Sequence, residues 1–539
     1  MASIRPLPTA FAAQIGAEVK NRLRSPATLI ALLAILVGSY WAIPPAEGRA
    51  VSLSWRDATG KLEAPLYTAG TIGIALSVTA TLFFALVAFY LVAGSVRRDR
   101  ERGIGAILAA TPISKSSYLG AKLVAHVLYL VLLVLAAVPV GFFHFWRSGV
   151  GPFAAGQFFR LFLLGILPAA TFVAASALLF DVTPVLRSRA GLVLWFFLGV
   201  LPLMAVPTTL AAASGRRVTR LPAFDPLGLA VHEVVVQRSL PPGSTDVSSG
   251  LIIHDEAIER VAWMGLDFPP GLAASRLRDL LWAAVPFLLA VAIFDRFDPA
   301  RYAWRRRPKT AANGEPVVAV AAVAGAAPLA SFAALAPVAV APGGTGAVLA
   351  EARLVWESAG RSKWVLLVAA AVAALVPGAA LPIVGSLFLL LLVPLVSEAA
   401  CREDLAGARP LVLSQPAVPS SLVLWKFAAV ALVLLLLGLP LTVRGLVAGG
   451  LQGVAVPLGL LFVAAFAVGA GFLSRGGKLF SGIYLVLWYM ALNGLAAVDF
   501  CGILAPHPDL ATRGVFLLVG ALWLGAAGLV ERRRARAGT

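Results

Sequence analysis

The histidines and carboxylates that could together bind a metal or act as acids and bases lie closest in sequence in one polar segment, 214–278. His232-Glu233 has the first part of the zinc-binding pattern H-E-x-x-H but lacks the second histidine. The other ionisable residues considered in this segment fit no standard ligand spacing; they are His254, Asp255, Glu256 and Glu259. We therefore expect solvated surface charges here, and an enzyme remains an alternative reading of the chain.

A phosphate-binding loop for nucleotides also lacks its essential residues. The stretch RGGKL at 475–479 has neither the upstream glycine nor the Ser or Thr of a G-x-x-x-x-G-K-[ST] loop. The two cysteines, Cys401 and Cys501, fall on opposite sides of a membrane in the topology given below, so they predict neither a disulfide nor a metal site. We expect no cofactor and no metal ion in this chain.

Composition places the chain in a membrane. Of its 539 residues, 60% are hydrophobic and 13% are charged, whereas soluble domains carry roughly 25% charged residues. The formal net charge of +18 comes from Lys and Arg that lie between apolar runs rather than on one face. Membrane lipid is therefore the expected surroundings, and nucleic acid is not an expected partner.

Twelve uncharged runs approach the length that a helix needs to cross a bilayer. The runs are continuous rather than alternating, which favours helices over barrel strands. The sequence thus predicts an all-α polytopic protein of about twelve transmembrane helices. The stretch 364–397 is too long for one span, and we divide it at Pro377-Gly378 and Pro382. The runs are 27–43, 70–94, 123–143, 161–180, 190–213, 280–294, 364–378, 382–397, 427–443, 454–474, 479–498 and 514–530.

The distribution of basic residues predicts the orientation. Most of the 44 Lys and Arg fall on the cytoplasmic side if both termini are cytoplasmic. Segment 214–278 is then an external loop, and the Ala- and Pro-rich segment 308–347 is a cytoplasmic linker. These boundaries predict a first six-helix half at 1–307 and a second at 348–539.

An internal repeat with an offset of 304 residues supports two diverged halves. Each half also opens with a partly amphipathic stretch, at 18–23 and 351–356. Duplicated halves are common in transporters. The matching residues are Arg98-Asp99, Gly103, Pro112, Ser117 and Lys122 in the first half, and Arg402-Glu403, Gly407, Pro416, Ser421 and Lys426 in the second.

Segment 95–122 between the second and third spans predicts a short amphipathic helix. Ile104, Ile107 and Leu108 recur at i, i+3 and i+4, which gives the helix an apolar face. Asp99 and Glu101 suit the positive N-terminal end of that helix, and Pro112 ends it. Such a helix can transmit force from a soluble partner into two spans, whereas the alternative is an ordinary interfacial loop.

This segment resembles the loop of type 2 ABC exporter permeases, the membrane subunits of ATP-binding-cassette exporters. The similar residues are Glu101, Gly103, Leu108, Thr111-Pro112, Tyr118-Leu119 and Lys122; the entry stretch Glu18 to Pro26 resembles that family's elbow helix, and Phe294 to Pro299 resembles a segment of bacterial members with two permease halves.

The resemblance implies that the loop helix is a coupling helix that docks on a separate ABC ATPase subunit, present in two copies. The resemblance also implies that ATP and Mg²⁺ belong to that partner, and that a hydrophobic or amphipathic substrate leaves the cytoplasm or the inner leaflet of a bacterial plasma membrane. In the second half, Arg409-Pro410 interrupts the pattern, which puts equal coupling by the two halves in doubt. The residues assigned to coupling are Asp99, Glu101, Gly103, Ile104, Ile107, Leu108, Glu403 and Gly407.

A proton-coupled secondary transporter of the major facilitator type is the main alternative, and a membrane-embedded enzyme is the second. Residues 94–100 are similar to the major facilitator loop signature, but the segment here is long enough for a helix. Proton coupling also needs ionisable groups deep in the spans, whereas Asp181 and Asp499 lie at span ends. His126 is expected to bond to a neighbouring helix.

Overall fold

The computed structural model consists mainly of helices, as predicted. It describes residues 7–45, 48, 50–187, 191–198, 221–254, 256–263, 265–297, 344–360, 362–409, 412, 418–447, 451–492, 495–503 and 510–536.

The first half begins with a bent pair of helices and continues through long apolar helices. Ser25 stands at the bend of 70° between the first two helices; its hydroxyl accepts the Thr28 amide at 3.3 Å, and Pro26 takes the first helical position. The helices are α1 (Leu7–Leu23), α2 (Pro26–Trp41), α3 (Ala69–Phe83), α4 (Phe89–Val92), α5 (Ser95–Glu101), α6 (Ile104–Ala109), α7 (Lys115–Leu135), α8 (Val138–Ser148), α9 (Ala155–Val182), α10 (Leu229–Ser239), α11 (Leu272–Trp282) and α12 (Ala284–Ile293).

The second half opens in the same way, with a helix pair bent by 93°. Its first helix, Gly344–Ser358, packs on the helix Val418–Val447, as α1 packs on α7 in the first half. The helices are α13 (Gly344–Ser358), α14 (Ser362–Leu375), α15 (Leu381–Val396), α16 (Arg402–Ala406), α17 (Val418–Val447), α18 (Gln452–Ser474), α19 (Lys478–Leu492) and α20 (Leu510–Arg536).

The fold class is confirmed as an all-α polytopic membrane protein. In the described part of the chain, six helices are long and apolar enough to cross a membrane, or eight if each bent pair forms one span. Run 364–397 breaks as expected, since α14 ends at Leu375 and α15 begins at Leu381. Most of run 190–213 lies outside the described residues, and the count of twelve stays a prediction.

The linker lies almost entirely outside the described residues. Its last residues, from Gly344 onward, already belong to α13, and the boundary between the linker and the second half stays a prediction.

A small sheet covers one end of the first half and was not expected. Strands β1 (Ala50–Arg56), β2 (Leu62–Pro65), β3 (Thr245–Ile253) and β4 (Glu259–Val261) lie in the order β3-β1-β2-β4, with only β2 and β4 parallel. The alternation of apolar Val51, Leu53 and Trp55 is the strand signal that the helix-based reading passed over. We call this end of the molecule the sheet end.

Segment 214–278 is therefore folded where it is described, and the charges of Glu256 and Glu259 are exposed to solvent as expected. His254 Nε2 lies 3.0 Å from Ser54 Oγ, and Glu256 pairs with Arg56 at 3.0 Å. His232 is buried on α10, and burial lowers its pKa to about 4. Asp255 lies outside the described residues. No group of three His, Cys, Asp or Glu that could hold a metal occurs in the described ranges.

Candidate functional site

Lys122 on α7 joins two carboxylates of the first half. Its Nζ lies 3.2 Å from Glu18 Oε2 on α1 and 2.8 Å from Asp99 Oδ2 on α5. Arg98 Nη2 lies 2.6 Å from Glu18 Oε1, and the Tyr118 hydroxyl donates to Asp99 at 2.6 Å. We call Glu18, Arg98, Asp99 and Lys122 the first ion cluster. Through buried charges it ties α1, α5 and α7 together.

The second half contains the same arrangement. Lys426 Nζ on α17 lies 2.6 Å from Glu351 Oε1 on α13 and 2.6 Å from Glu403 Oε1 on α16. Arg402 Nη1 lies 3.8 Å from Glu351 Oε1. We call these four residues the second ion cluster. Its members Arg402, Glu403 and Lys426 are those that the offset of 304 pairs with Arg98, Asp99 and Lys122, so the sequence repeat corresponds to a repeated contact.

Each ion cluster holds its loop and the neighbouring helices in a fixed arrangement. A buried ammonium with two carboxylates keeps its partners at fixed positions, because breaking one such pair leaves a buried charge without a counter-ion. His126 adds a further bond to α1, where Arg22 Nη2 donates to its Nε2 at 2.9 Å. The expectation that His126 bonds to a neighbouring helix is confirmed.

The predicted single coupling helix is two helices, α5 and α6. Gly103 lies between them with φ = +74°, a left-handed conformation that interrupts a right-handed helix. Asp99 and Glu101 therefore lie in the last turn of α5, and their predicted place at a helix N-terminus was wrong. Gly407 ends α16 in the same conformation, with φ = +68°.

Pro410 was predicted to end the helix of the second half, but it lies outside the described residues. Helix α16 already ends at Ala406, before that proline. The positive φ of Gly407 is thus sufficient to end the helix. Gly103 has the same conformation after α5 in the first half.

The residues assigned to coupling divide into two groups. Asp99 and Glu403 are held within the ion clusters, and Leu108 packs against a cluster of buried aromatic and aliphatic residues. Glu101, Ile104 and Ile107 face outward; the exposed fraction of Ile107 is 68%. Gly103 and Gly407 set the backbone conformation at the helix ends. The site thus has a buried part that holds the loop and an exposed part that is available to a partner.

The segment after α12 fixes α6 from the other side. Phe294 stacks on Tyr118 with ring centroids 5.4 Å apart, and Phe297 meets Tyr118 edge-on at 5.7 Å. Arg100 Nη2 lies 3.0 and 3.2 Å from the two carboxylate oxygens of Asp295. We call residues 294–297 the clamp. The sequence singled this segment out by resemblance but did not predict this contact.

Gly105→Ala is expected to lower the free energy of unfolding by about 1–3 kcal/mol through overpacking. An added Cβ would lie 2.7 Å from Cδ1 of Phe297, which the clamp holds in place. Gly156→Ala on α9 is the matched control, because nothing lies within 4 Å of its added Cβ. Thermal unfolding of the detergent-purified proteins measures the difference; equal midpoints would show that the clamp does not constrain α6.

A cavity of about 900 Å³ lies between the two halves. Residues of α5, of α16 and of the turn at 474–478 line it, so both repeated loops border one space. Lys478 of the second half donates a hydrogen bond to the Ala93 carbonyl of the first. A Cβ at Gly94 would lie 1.9 Å from Lys478 Nζ, so a side chain there would force the lysine to move.

Comparison with known protein families matches the first half. The family model described as ABC-2 family transporter protein matches residues 13–298, more than half of the 539 residues. The matched range contains the first ion cluster, α5, α6 and the clamp. No curated protein and no solved structure matches the chain.

Proposed function

Because the chain belongs to the ABC-2 family of transporter proteins and is a permease of an ABC transporter, we propose that it is an exporter subunit driven by a separate ATPase. In this proposal one chain supplies both permease halves, and two copies of the ATPase dock on it. Both termini are cytoplasmic in a bacterial plasma membrane. ATP and Mg²⁺ are bound by the ATPase, and the cargo is hydrophobic or amphipathic.

The observation that carries this proposal is the ion cluster that occurs once in each half. A force applied to α5 reaches α1 and α7 through Lys122, and a force applied to α16 reaches α13 and α17 through Lys426. Closure of the ATPase dimer on ATP would push on both loops. The two halves would then rock against each other around the cavity between them, which is the motion that alternating access requires.

The exposed part of the first loop supplies a docking surface for the ATPase. Ile104 and Ile107 on α6 are exposed apolar side chains, with Glu101 nearby at the end of α5. Exposed isoleucines next to a carboxylate suit a partner surface with an apolar pocket and basic or amide groups at its rim. We call Glu101, Ile104 and Ile107 the docking face.

The proposal is tested by co-purification and ATP hydrolysis. The chain alone is expected to hydrolyse no ATP, and affinity purification from its native host at endogenous expression should recover an ABC ATPase in stoichiometric amount. Reconstituted with that ATPase, it should move cargo only with hydrolysable ATP. Transport that continues without ATP and stops when the proton gradient is collapsed would instead support a secondary transporter.

A further inference from the structure

The cavity between the halves has an excess of positive charge at its wall. Seven cationic side chains line it, against four carboxylates. The cations are Arg22, Arg97, Arg98, Arg102, Arg187, Arg475 and Lys478, and the carboxylates are Glu101, Asp181, Glu398 and Asp404.

Each of the four carboxylates has an interaction partner within the protein. Glu101 pairs with Arg97 at 3.2 Å, and Asp404 pairs with Arg409, which lies outside the cavity wall, at 2.6 Å. Asp181 accepts the backbone amide of Val96 at 3.1 Å and so serves as the N-terminal cap of α5. Among the described residues, no ion pair joins Glu101, Asp181 or Asp404 to Arg102 or Arg475.

Arg102 and Arg475 are the cations with unused charge. They come from opposite halves of the chain, both are exposed, and neither pairs with a carboxylate among the described residues. A general preference for basic residues on the cytoplasmic side would scatter such arginines over the surface. Here they border one cavity, and planar guanidinium groups are suited to bind phosphate oxygens in pairs.

Part of the cavity wall is apolar. Phe89, Phe180, Leu192 and Ile483 line it together with Tyr90. A volume of about 900 Å³ is at the upper end of typical small-ligand sites, roughly 300–1,000 Å³. It can hold a headgroup and the first part of an acyl chain, so charged and apolar ends of one ligand would each meet a matching surface.

We propose that this cavity binds an anionic amphiphile through its phosphate headgroup, with Arg102 and Arg475 as the phosphate ligands. The inference rests on the proposed function, since it identifies this ligand class as the cargo. A phosphate group could come from a lipid headgroup or from a free anion, and the cavity wall selects the lipid because an inorganic anion leaves the aromatic surface unused.

The test measures binding to the full-length chain in neutral detergent by isothermal titration calorimetry, without any ATPase. The probes are dihexanoyl phosphatidic acid, dihexanoyl phosphatidylcholine and inorganic phosphate. Phosphatidic acid is expected to bind most tightly, and Arg102→Gln/Arg475→Gln to weaken its binding by about tenfold or more. Arg532→Gln/Arg533→Gln, two exposed arginines of α20 outside the cavity, is the control and should bind as the unmodified chain does.

Each other result overturns the proposal. Equal binding of phosphatidylcholine would show an apolar site without selection for an anion, and equal binding of inorganic phosphate would show a simple anion site. Unchanged binding by the Arg102/Arg475 variant would remove these two residues from the site. Because no ATPase is present, a failure here leaves the proposed coupling function untouched, and loss of ATPase co-purification would leave this binding untouched.

Discussion

Lys122→Met is expected to destabilise the folded chain by about 3–5 kcal/mol, because it leaves two buried carboxylates without their shared counter-ion. Glu18 and Asp99 would face each other with only Arg98 and Arg22 near Glu18 to compensate. Thermal unfolding in detergent, together with the yield of monodisperse protein, measures the effect.

The carboxylates of the two ion clusters differ in their exposure to water, so a variant of Lys426 can be compared directly with the variant of Lys122. The carboxylate side chains of the first cluster are 8% and 13% exposed, and those of the second are 15% and 19% exposed. Lys426→Met should therefore destabilise less than Lys122→Met, since water can solvate Glu351 and Glu403 in part. Lys61→Met, at a position 70% exposed, is the neutral control. Equal or reversed effects of the two cluster variants would contradict the role assigned to burial.

Ile107→Asp is expected to abolish ATPase association while the permease still folds. The side chain is 68% exposed in the chain alone, so an aspartate there stays in water and leaves the fold intact. In the complex, burial of an isoleucine contributes about 1.5–3 kcal/mol, and a buried unpaired carboxylate costs more. Association with the ATPase and ATPase stimulation by cargo should both be lost.

Glu101→Lys should weaken the same association without harming stability, since its ion pair with Arg97 is a surface pair worth about 0–1 kcal/mol. Val185→Asp is the control for both variants, because Val185 is 77% exposed and does not belong to the docking face. Normal association and cargo-stimulated ATP hydrolysis in both Ile107→Asp and Glu101→Lys would show that the loop is a connector. The ion clusters would then be structural features only.

Hydrophobic runs and helix-breaking residues predicted most of the helical fold. Pro377-Gly378 marked the break between α14 and α15, because these residue types act through local backbone geometry. The alternation of Val51, Leu53 and Trp55 is a local signal for β1, but the pairing of β1 with the distant β3 leaves none, and the sheet was missed.

The candidate site, too, could be predicted only in part from the sequence. The offset of 304 identified Lys122 with Lys426 and Asp99 with Glu403 as equivalent positions. That these residues form ion pairs with Glu18 and Glu351 depends on how α1 and α13 pack, which periodicity does not specify. The helix break at Gly103 was also missed, since a glycine in a helical pattern is tolerated unless its φ becomes positive.

The contact of Lys478 with Gly94 means that the two halves are not interchangeable. The position equivalent to Gly94 in the second half, 304 residues later, is Glu398, which carries a side chain where Gly94 has none. A homodimer of either half could not form this contact twice around a two-fold axis. Fusion into one chain therefore keeps the two unlike halves at a one-to-one ratio. Two separately made subunits would instead have to recognise each other to form this asymmetric interface.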